Sequence, residues 1–349
     1  MNIAYIGTDD VRLPDPDVQA GYRPCPDYIK LADAYGAVIV GYRGLHARFC
    51  ARTRLGKVIS GCPLGELLRG TACDVVVASA DAIGLLLALD CEALGVGIPV
   101  YIVTHGFLFH EPEKVHTLGC LPTTRFLCLS STIANALVDQ FRYDPTRVFI
   151  TRYGVDCSFF APSPAHDPGV IVSAGTAHRD YHTLLEAAAE IDAQLRIAAD
   201  SEWCPRPIDI ASSILPSNVS VRSYGNYMNL RALYSSAEFV VVPLYDVPRA
   251  CGYAVIAEAM AMGKAVIATR TQMASDLLVD GVTGFYVAPG NATDMRNRIE
   301  QLLRNPSLAQ EMGRRGRKRV ELQFTVDAFC TSLHRVLSDG TSRALSRIT

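Results

Sequence analysis

Residues 250–269 read ACGYAVIAEAMAMGKAVIAT, a helix and a following strand made of small and apolar residues with one carboxylate, Glu258, in the middle. The apolar run EFVVVPL (238–244) precedes it, joined by the short polar turn PLYDVPRACG (243–252). In an open α/β sheet, ligands bind beyond the carboxyl ends of the strands, which is where this helix begins. Its first amides, at Gly252 and Tyr253, are unpaired donors with partial positive charge and form a seat for phosphate. Gly252 also lets an anion approach the backbone closely. Glu258 lies about one and a half turns further in, at a depth from which its side chain reaches ribose hydroxyls. On spacing alone the commoner reading is a solvated face residue.

A second candidate sits in IPVYIVTHGF (98–107), where His105 ends a buried strand and precedes Gly106. That places it on the cleft side of the sheet, as a functional group or as a hydrogen-bonded structural histidine. His110 and His116 read as loop surface, and Asp81 in ASADAIG (78–84) as a helix cap.

The elements that must position these residues alternate. Apolar runs at NIAYIG (2–7), 37–41, 74–79, 99–104, 126–130 and 147–151 are strand-like, with helical patterns between them at 81–95 and 131–141. Ser130 or Ser131 can cap the second of these helices, and Ile133, Leu137 and Phe141 recur along it at a spacing of four. Residues 153–169, YGVDCSFFAPSPAHDPG, hold three prolines and two glycines and read as a linker. The alternation then restarts: strands at 169–175, 195–200, 219–223, 238–244, 264–269 and 283–289, helices at 180–191, 228–236 and 251–262. Asn291 starts a further helix with Asp294 in its first turn. The expected fold class is α/β, two Rossmann-like domains facing across a cleft. The expected divisions are 1–152, a linker at 153–168, a second domain at 169–324, and a C-terminal helix and tail at 325–349.

Composition narrows the classes. The 349 residues are 49% hydrophobic and 19% charged, with a formal net charge of −2, so no basic excess points to nucleic acid. Eleven cysteines lie scattered without CxxC pairs, which reads as reduced thiols of a cytoplasmic protein. The opening MNIAYIGTDD lacks a basic, apolar leader, and the longest apolar stretch, 82–103, is broken by Asp90, Glu92 and Pro99. The basic run RRGRKR (314–319) reads as a solvated helix face, or as a patch for peripheral contact with an anionic membrane surface.

The stretch from Glu238 to Ala288 resembles the donor half of family 4 retaining glycosyltransferases, which have the GT-B fold. The resemblance rests on Glu258 followed by Ala-Met-Ala and Gly, the Val/Ile-rich strand after it, and Asp280-Gly281 with Thr283-Gly284. It extends to LYSSAE (233–238) and to YGVD (153–156) with Phe160 and Pro162, and covers most of residues 147–330. It implies that Glu258 binds the nucleotide ribose, that His105 lies beside the donor sugar with a binding or catalytic role, and that the first domain takes the acceptor. Two positions depart from the pattern. Ala250 stands where the family has an acid that contacts the donor sugar, and Thr176 where it has a phosphate-binding arginine. Arg179 stands near the family's lysine position and can bind phosphate oxygens bidentately, or simply pair with Asp180. The neighbouring Arg249 offers a second positive charge. In the loop TDDVRLPDPD (8–17), Asp9 and Asp10 can contact acceptor hydroxyls or serve as turn residues.

The function implied is transfer of a sugar from a nucleoside-diphosphate sugar to a hydroxyl of a glycan, lipid-linked or small-molecule acceptor, with retention of configuration. The leaving diphosphate would be stabilised by the Gly252 and Tyr253 amides and Arg179. The DPD at 15–17 lies in a proline-rich loop rather than at a strand end, so no obligatory metal or other cofactor is expected. Two other readings are a catalytically inactive binding or scaffold subunit and a nucleotide-sugar epimerase. A dinucleotide-dependent oxidoreductase fits poorly, because NIAYIG is not followed by GxGxxG.

Overall fold

The computed structural model describes residues 1–7, 13, 15–41, 73–106, 108–163, 167–199 and 215–345, with side chains to 340. Asp9 and Asp10 lie outside the described residues.

Two fully parallel sheets of six strands each dominate the chain. The first holds β1 (Ile3–Gly7), β2 (Val38–Gly41), β3 (Val75–Ala78), β4 (Val100–Thr104), β5 (Thr124–Cys128) and β6 (Val148–Ile150) in the order β2-β1-β3-β4-β5-β6. The second holds β7 (Val170–Ala174), β8 (Gln194–Ala198), β9 (Val219–Arg222), β10 (Phe239–Val242), β11 (Ala265–Thr269) and β12 (Gly284–Val287) in the order β12-β11-β10-β7-β8-β9. The expected α/β class with two Rossmann-like units is therefore what the chain forms. Each order reverses once, between β1 and β3 and between β7 and β10. Those switch points open crevices at the carboxyl ends of the strands.

Helices α1 (Pro16–Gln19), α2 (Asp27–Tyr35), α3 (Asp81–Leu94), α4 (Pro112–Cys120) and α5 (Ser131–Asn135) accompany the first sheet. The second carries α6 (Tyr181–Ala188), α7 (Tyr227–Ser236), α8 (Tyr253–Ala261), α9 (Ala292–Arg304) and α10 (Pro306–Gln323), and α11 (Val326–Leu345) ends the described chain. The helix expected over 131–141 is α-helical only to Asn135 and continues as a π-helical turn over Ala136–Gln140. Its cap is Ser130, whose hydroxyl accepts from Ile133 N. Asn291 caps α9 by accepting from Asp294 N. The strand expected over 126–130 instead spans Thr124–Cys128.

The inner strands β3, β4, β10 and β11 are buried on both faces, as sheets with helices on both sides require. In β10, Val240 and Val242 join one core and Phe239 and Val241 the other, the two-residue period of a pleated strand.

The chain crosses between domains twice, and the crossings are tied together. Val155 N donates to Phe324 O at 2.9 Å, and Val326 N to Val155 O at 3.1 Å. Beyond this point α11 leaves the second domain and packs on α2 of the first. There Tyr35 stacks on His334 at 4.1 Å between ring centroids, and Lys30 pairs with Asp327 at 3.1 Å.

The basic run 314–319 is only half a solvated face. Arg314 and Arg315 pair with Glu311 on the surface of α10. Arg317 instead turns inward, donating from Nη1 to the carbonyls of Cys157, Phe160 and Ala261 at 3.1, 2.7 and 2.6 Å. It thus ties the linker to the end of α8. Arg319 donates to Leu277 O and Asp276 O at 2.9 and 2.6 Å. Among the described residues no helix is long and apolar enough to cross a membrane.

Candidate functional site

Helix α8 starts where the sequence places it. Gly252 is the N-cap at φ 78°, a left-handed conformation glycine adopts without strain, and Tyr253 is the first helical residue. The run that makes α8 apolar buries it beneath the sheet edge, from Val255 to Ala261 apart from Glu258, which stays half-buried. The free amides of its first turn therefore face the crevice next to β10.

Glu258 is not turned to bulk water. Tyr234 of α7, fully buried, donates its phenol to Glu258 Oε2 at 2.9 Å. Burial pushes the Glu258 carboxyl up to about 7, against the opposing pull of the Tyr234 hydrogen bond and the Arg179 charge. Tyr153 of the linker lies on the other side. Burial, then the charges of Glu258, Tyr227 and Asp27, hold its phenol far above its ordinary range. The carboxylate thus sits where the second domain, the linker and the first domain meet.

Arg179 is buried at 8% exposure, not an exposed partner of Asp180. Its Nε donates to Ala174 O at 2.9 Å and its Nη1 to Ala177 O at 2.8 Å. Asp180 is occupied capping α6, accepting from Thr183 N and Thr183 Oγ1. Arg179 bridges to Leu244 just after β10, so it spans the switch point between β7 and β10. The guanidinium folds over Gly175, where a Cβ would lie 2.6 Å from Nη2. Its Nη2 takes no hydrogen bond among the described residues, and no carboxylate pairs with it. A buried guanidinium beside free helix amides has the charge and the donors to hold an anion.

Arg249 lies at the mouth of the crevice. Its Nη1 reaches His178 Nε2 at 3.3 Å and its Nη2 reaches His110 Nδ1 at 3.1 Å. A guanidinium only donates, so both imidazole nitrogens accept there. His178 belongs to the Arg179 loop and His110 to the first domain, so Arg249 spans the interface. His178 adopts φ 53°, which a β-carbon disfavours, and burial with the charges of Arg249 and Arg179 lowers its pKa. His110, read from sequence as loop surface, is exposed yet takes part in this contact.

His105 closes the crevice from the first domain. Its amide donates to Asp81 Oδ2 at 2.9 Å, its ring Nε2 lies 3.2 Å from Ser79 O, and its carbonyl accepts from Ala250 N at 2.8 Å. Because the Ser79 carbonyl only accepts, Nε2 carries the ring proton. Asp81 is thus not the cap of α3, which is Ala80; it fixes the His105 backbone instead. The structure brings His105 against the turn that carries Arg249, Gly252 and Tyr253 through Ala250 N, sets Arg249 on the histidine next to Arg179, and places Glu258 within reach of the Arg179 charge. Tyr253 contributes only its amide there. Its phenol turns to the first domain, 2.9 Å from Ser130 Oγ and 2.7 Å from Met273 O. Tyr234 and Tyr153 lie within LYSSAE and YGVD, stretches that carry the resemblance, but nothing local marks them as neighbours of Glu258, and His178 has no sequence signal of its own. Among the described residues no three His, Cys, Asp or Glu side chains cluster as a metal site would.

The family model of glycosyl transferases group 1 matches residues 158–319, the second domain with part of the linker. Curated relatives include an uncharacterised glycosyltransferase of Methanocaldococcus jannaschii, 23% identical over 56% of this chain and 54% of that protein. They also include the alpha-D-kanosaminyltransferase of Streptomyces kanamyceticus, 26% identical over 57% of this chain and 48% of that protein. The chain spans about half the length of such relatives. Among solved structures, HepE of Anabaena in complex with UDP aligns with a TM-score of 0.75 at 17% identity, over 97% of this chain and 100% of that one. Sucrose-phosphate synthase of Thermosynechococcus elongatus aligns with a TM-score of 0.74 at 14% identity, over 98% and 100%. At these identities the structural likeness is one of fold.

Proposed function

We propose that this protein is a glycosyltransferase of the GT-B fold that moves a sugar from a nucleoside-diphosphate sugar to an acceptor hydroxyl with retention of configuration. The observation that carries the reading is that a buried guanidinium in contact with no carboxylate, Arg179, and a half-buried carboxylate on which its charge acts, Glu258, lie beside one switch point. The diphosphate rests against the Gly252 and Tyr253 amides and takes Nη2 of Arg179. The ribose hydroxyls donate to Glu258, which Tyr234 holds in place. As the glycosidic bond to the leaving phosphate lengthens, charge grows on the phosphate oxygen, and the preorganised cation and amides stabilise it. No metal is needed for that role, because the protein supplies the charge.

His105, across the crevice, lines the sugar's position, and the first domain takes the acceptor. Ala250, whose amide is committed to His105 O, offers no side-chain contact to the sugar. The kanosaminyl- and UDP-named relatives support an activated-sugar donor. The commitment of Arg317 and Arg319 to backbone carbonyls weakens a membrane role for the basic run. The experiment is a screen of nucleotide sugars for hydrolysis and transfer, with the product anomer read by NMR. Turnover lost in Glu258→Gln and Arg179→Met, with the fold intact, supports the reading. Absence of any nucleotide binding to the wild type favours instead the inactive scaffold that Ala250 and Thr176 leave open.

A further inference from the structure

The first turn of α8 and the loop after β11 make a compact set of hydrogen bonds to the first domain that the donor site itself does not use. Asp276 is the centre of it. Its Oδ2 accepts from Ser131 N at 2.7 Å and its Oδ1 from Ser131 Oγ at 2.5 Å, at the start of α5. Thr132 Oγ1 donates to Ala274 O, and Tyr253, the first residue of α8, meets both Ser130 Oγ and Met273 O. Every residue on one side belongs to the cap and first turn of α5. Every residue on the other belongs to α8 or to 273–276.

We propose that Asp276 is a positioning residue for sugar transfer: by holding Ser131, the first residue of α5, it sets the spacing between the donor seat on α8 and the acceptor side of the crevice. The proposal rests on the donor-site reading above.

Three features make Asp276 suited to this. Its own backbone is fixed from behind, because Arg319 of α10 donates to Asp276 O and Leu277 O. Its carboxylate engages both a backbone amide and a hydroxyl of one residue, which fixes direction as well as distance. And Tyr253 couples the same contact to the helix whose amides would carry the diphosphate, so a shift at α5 moves the phosphate seat relative to His105. A displacement of about 1 Å between reacting groups is enough to cost about a hundredfold in rate. Asp276 touches neither the proposed phosphate seat nor Glu258. It acts through Ser131 and the relation of the two domains.

The test compares wild type, Asp276→Ala, Asp276→Asn and Ser131→Ala in the full chain. Calorimetry with UDP, GDP and ADP reads the donor seat, steady-state kinetics on the sugar nucleotide selected by the screen reads transfer, and small-angle X-ray scattering reads domain spacing. Asp276→Ala is expected to lower kcat by about tenfold or more, to leave nucleotide Kd within about twofold, and to raise the radius of gyration by about 1 Å. Asp276→Asn, which keeps one acceptor oxygen for Ser131, is expected to recover part of the rate, and Ser131→Ala to lose part of it. A wild-type kcat with an unchanged radius of gyration in Asp276→Ala overturns the proposal, as does a loss confined to nucleotide Kd. If the wild type binds none of the three nucleotides, the donor reading fails, and scattering alone decides whether Asp276 sets the spacing.

Discussion

The phenol of Tyr234 donates to Glu258 Oε2 at 2.9 Å, joining α7 to α8 across the floor of the crevice. Tyr234 is itself packed against Phe160 of the linker at 6.3 Å between ring centroids. The carboxylate is therefore held through Oε2 by a side chain that is itself packed on the linker.

Replacing Glu258 by Gln separates binding from stability. A ligand hydroxyl loses a charged acceptor, a change worth about 1.5–3 kcal/mol, so nucleotide affinity falls by roughly ten- to a hundredfold. The fold gains, because a buried charge is removed. The ordinary carboxyl value of 4.5 rises to about 7 in the folded protein. Between those values the folded protein holds more protons than the unfolded chain, so this group's contribution to stability declines as pH rises through that window and is lowest above pH 7. Glu258→Gln should recover up to about 3 kcal/mol at pH 8 and little at pH 4, read by urea titration at both.

If the ribose needs the ionised carboxylate, nucleotide affinity declines as pH falls below about 7, approaching a tenfold loss per pH unit. Glu258→Gln should flatten that profile. A slope unchanged in the variant assigns the dependence to another group.

Arg179→Met removes the buried cation but keeps most of the side-chain volume. The carbonyls of Ala174 and Ala177 lose their donors, a cost of about 1–3 kcal/mol in stability. Binding of a nucleoside diphosphate should weaken about a hundredfold while binding of the matching nucleoside changes little. Equal losses for both ligands remove Arg179 from the phosphate site.

Arg317 and Arg315, two residues apart in one basic run, should behave very differently. Arg317→Met leaves three carbonyls of the linker and α8 without a donor and is expected to cost about 2–4 kcal/mol. Arg315→Met breaks a surface pair with Glu311, worth less than about 1 kcal/mol. Chemical denaturation of the two variants checks this.

His105→Ala is expected to slow turnover by about a hundredfold or more while the melting temperature stays within a few degrees. The His105 backbone bonds to Asp81 and Ala250 do not depend on the ring.

The amino-acid sequence by itself determined the elements and their order. Apolar runs of β-branched residues alternating with helical periods can form only parallel strands with crossovers, and the proline-rich break near 160 separates two such units. It also placed the start of α8 at Gly252, because a glycine after a polar turn and before an unbroken apolar stretch is a local signal. What it left open were relations between residues far apart in the chain. By its spacing Glu258 read first as a solvated face residue, and the structure instead bonds it to the buried Tyr234. Arg179 read as a phosphate ligand or as a surface ion pair with Asp180, and its burial between β7 and β10 removes the second reading. The six residues RRGRKR look alike as text, yet α10 turns Arg317 and Arg319 toward carbonyls at the domain junction and leaves Arg314 and Arg315 in solvent. Local propensity acts over a few residues, whereas burial, and with it the raised pKa of Glu258, is set by which surfaces the tertiary structure brings into contact.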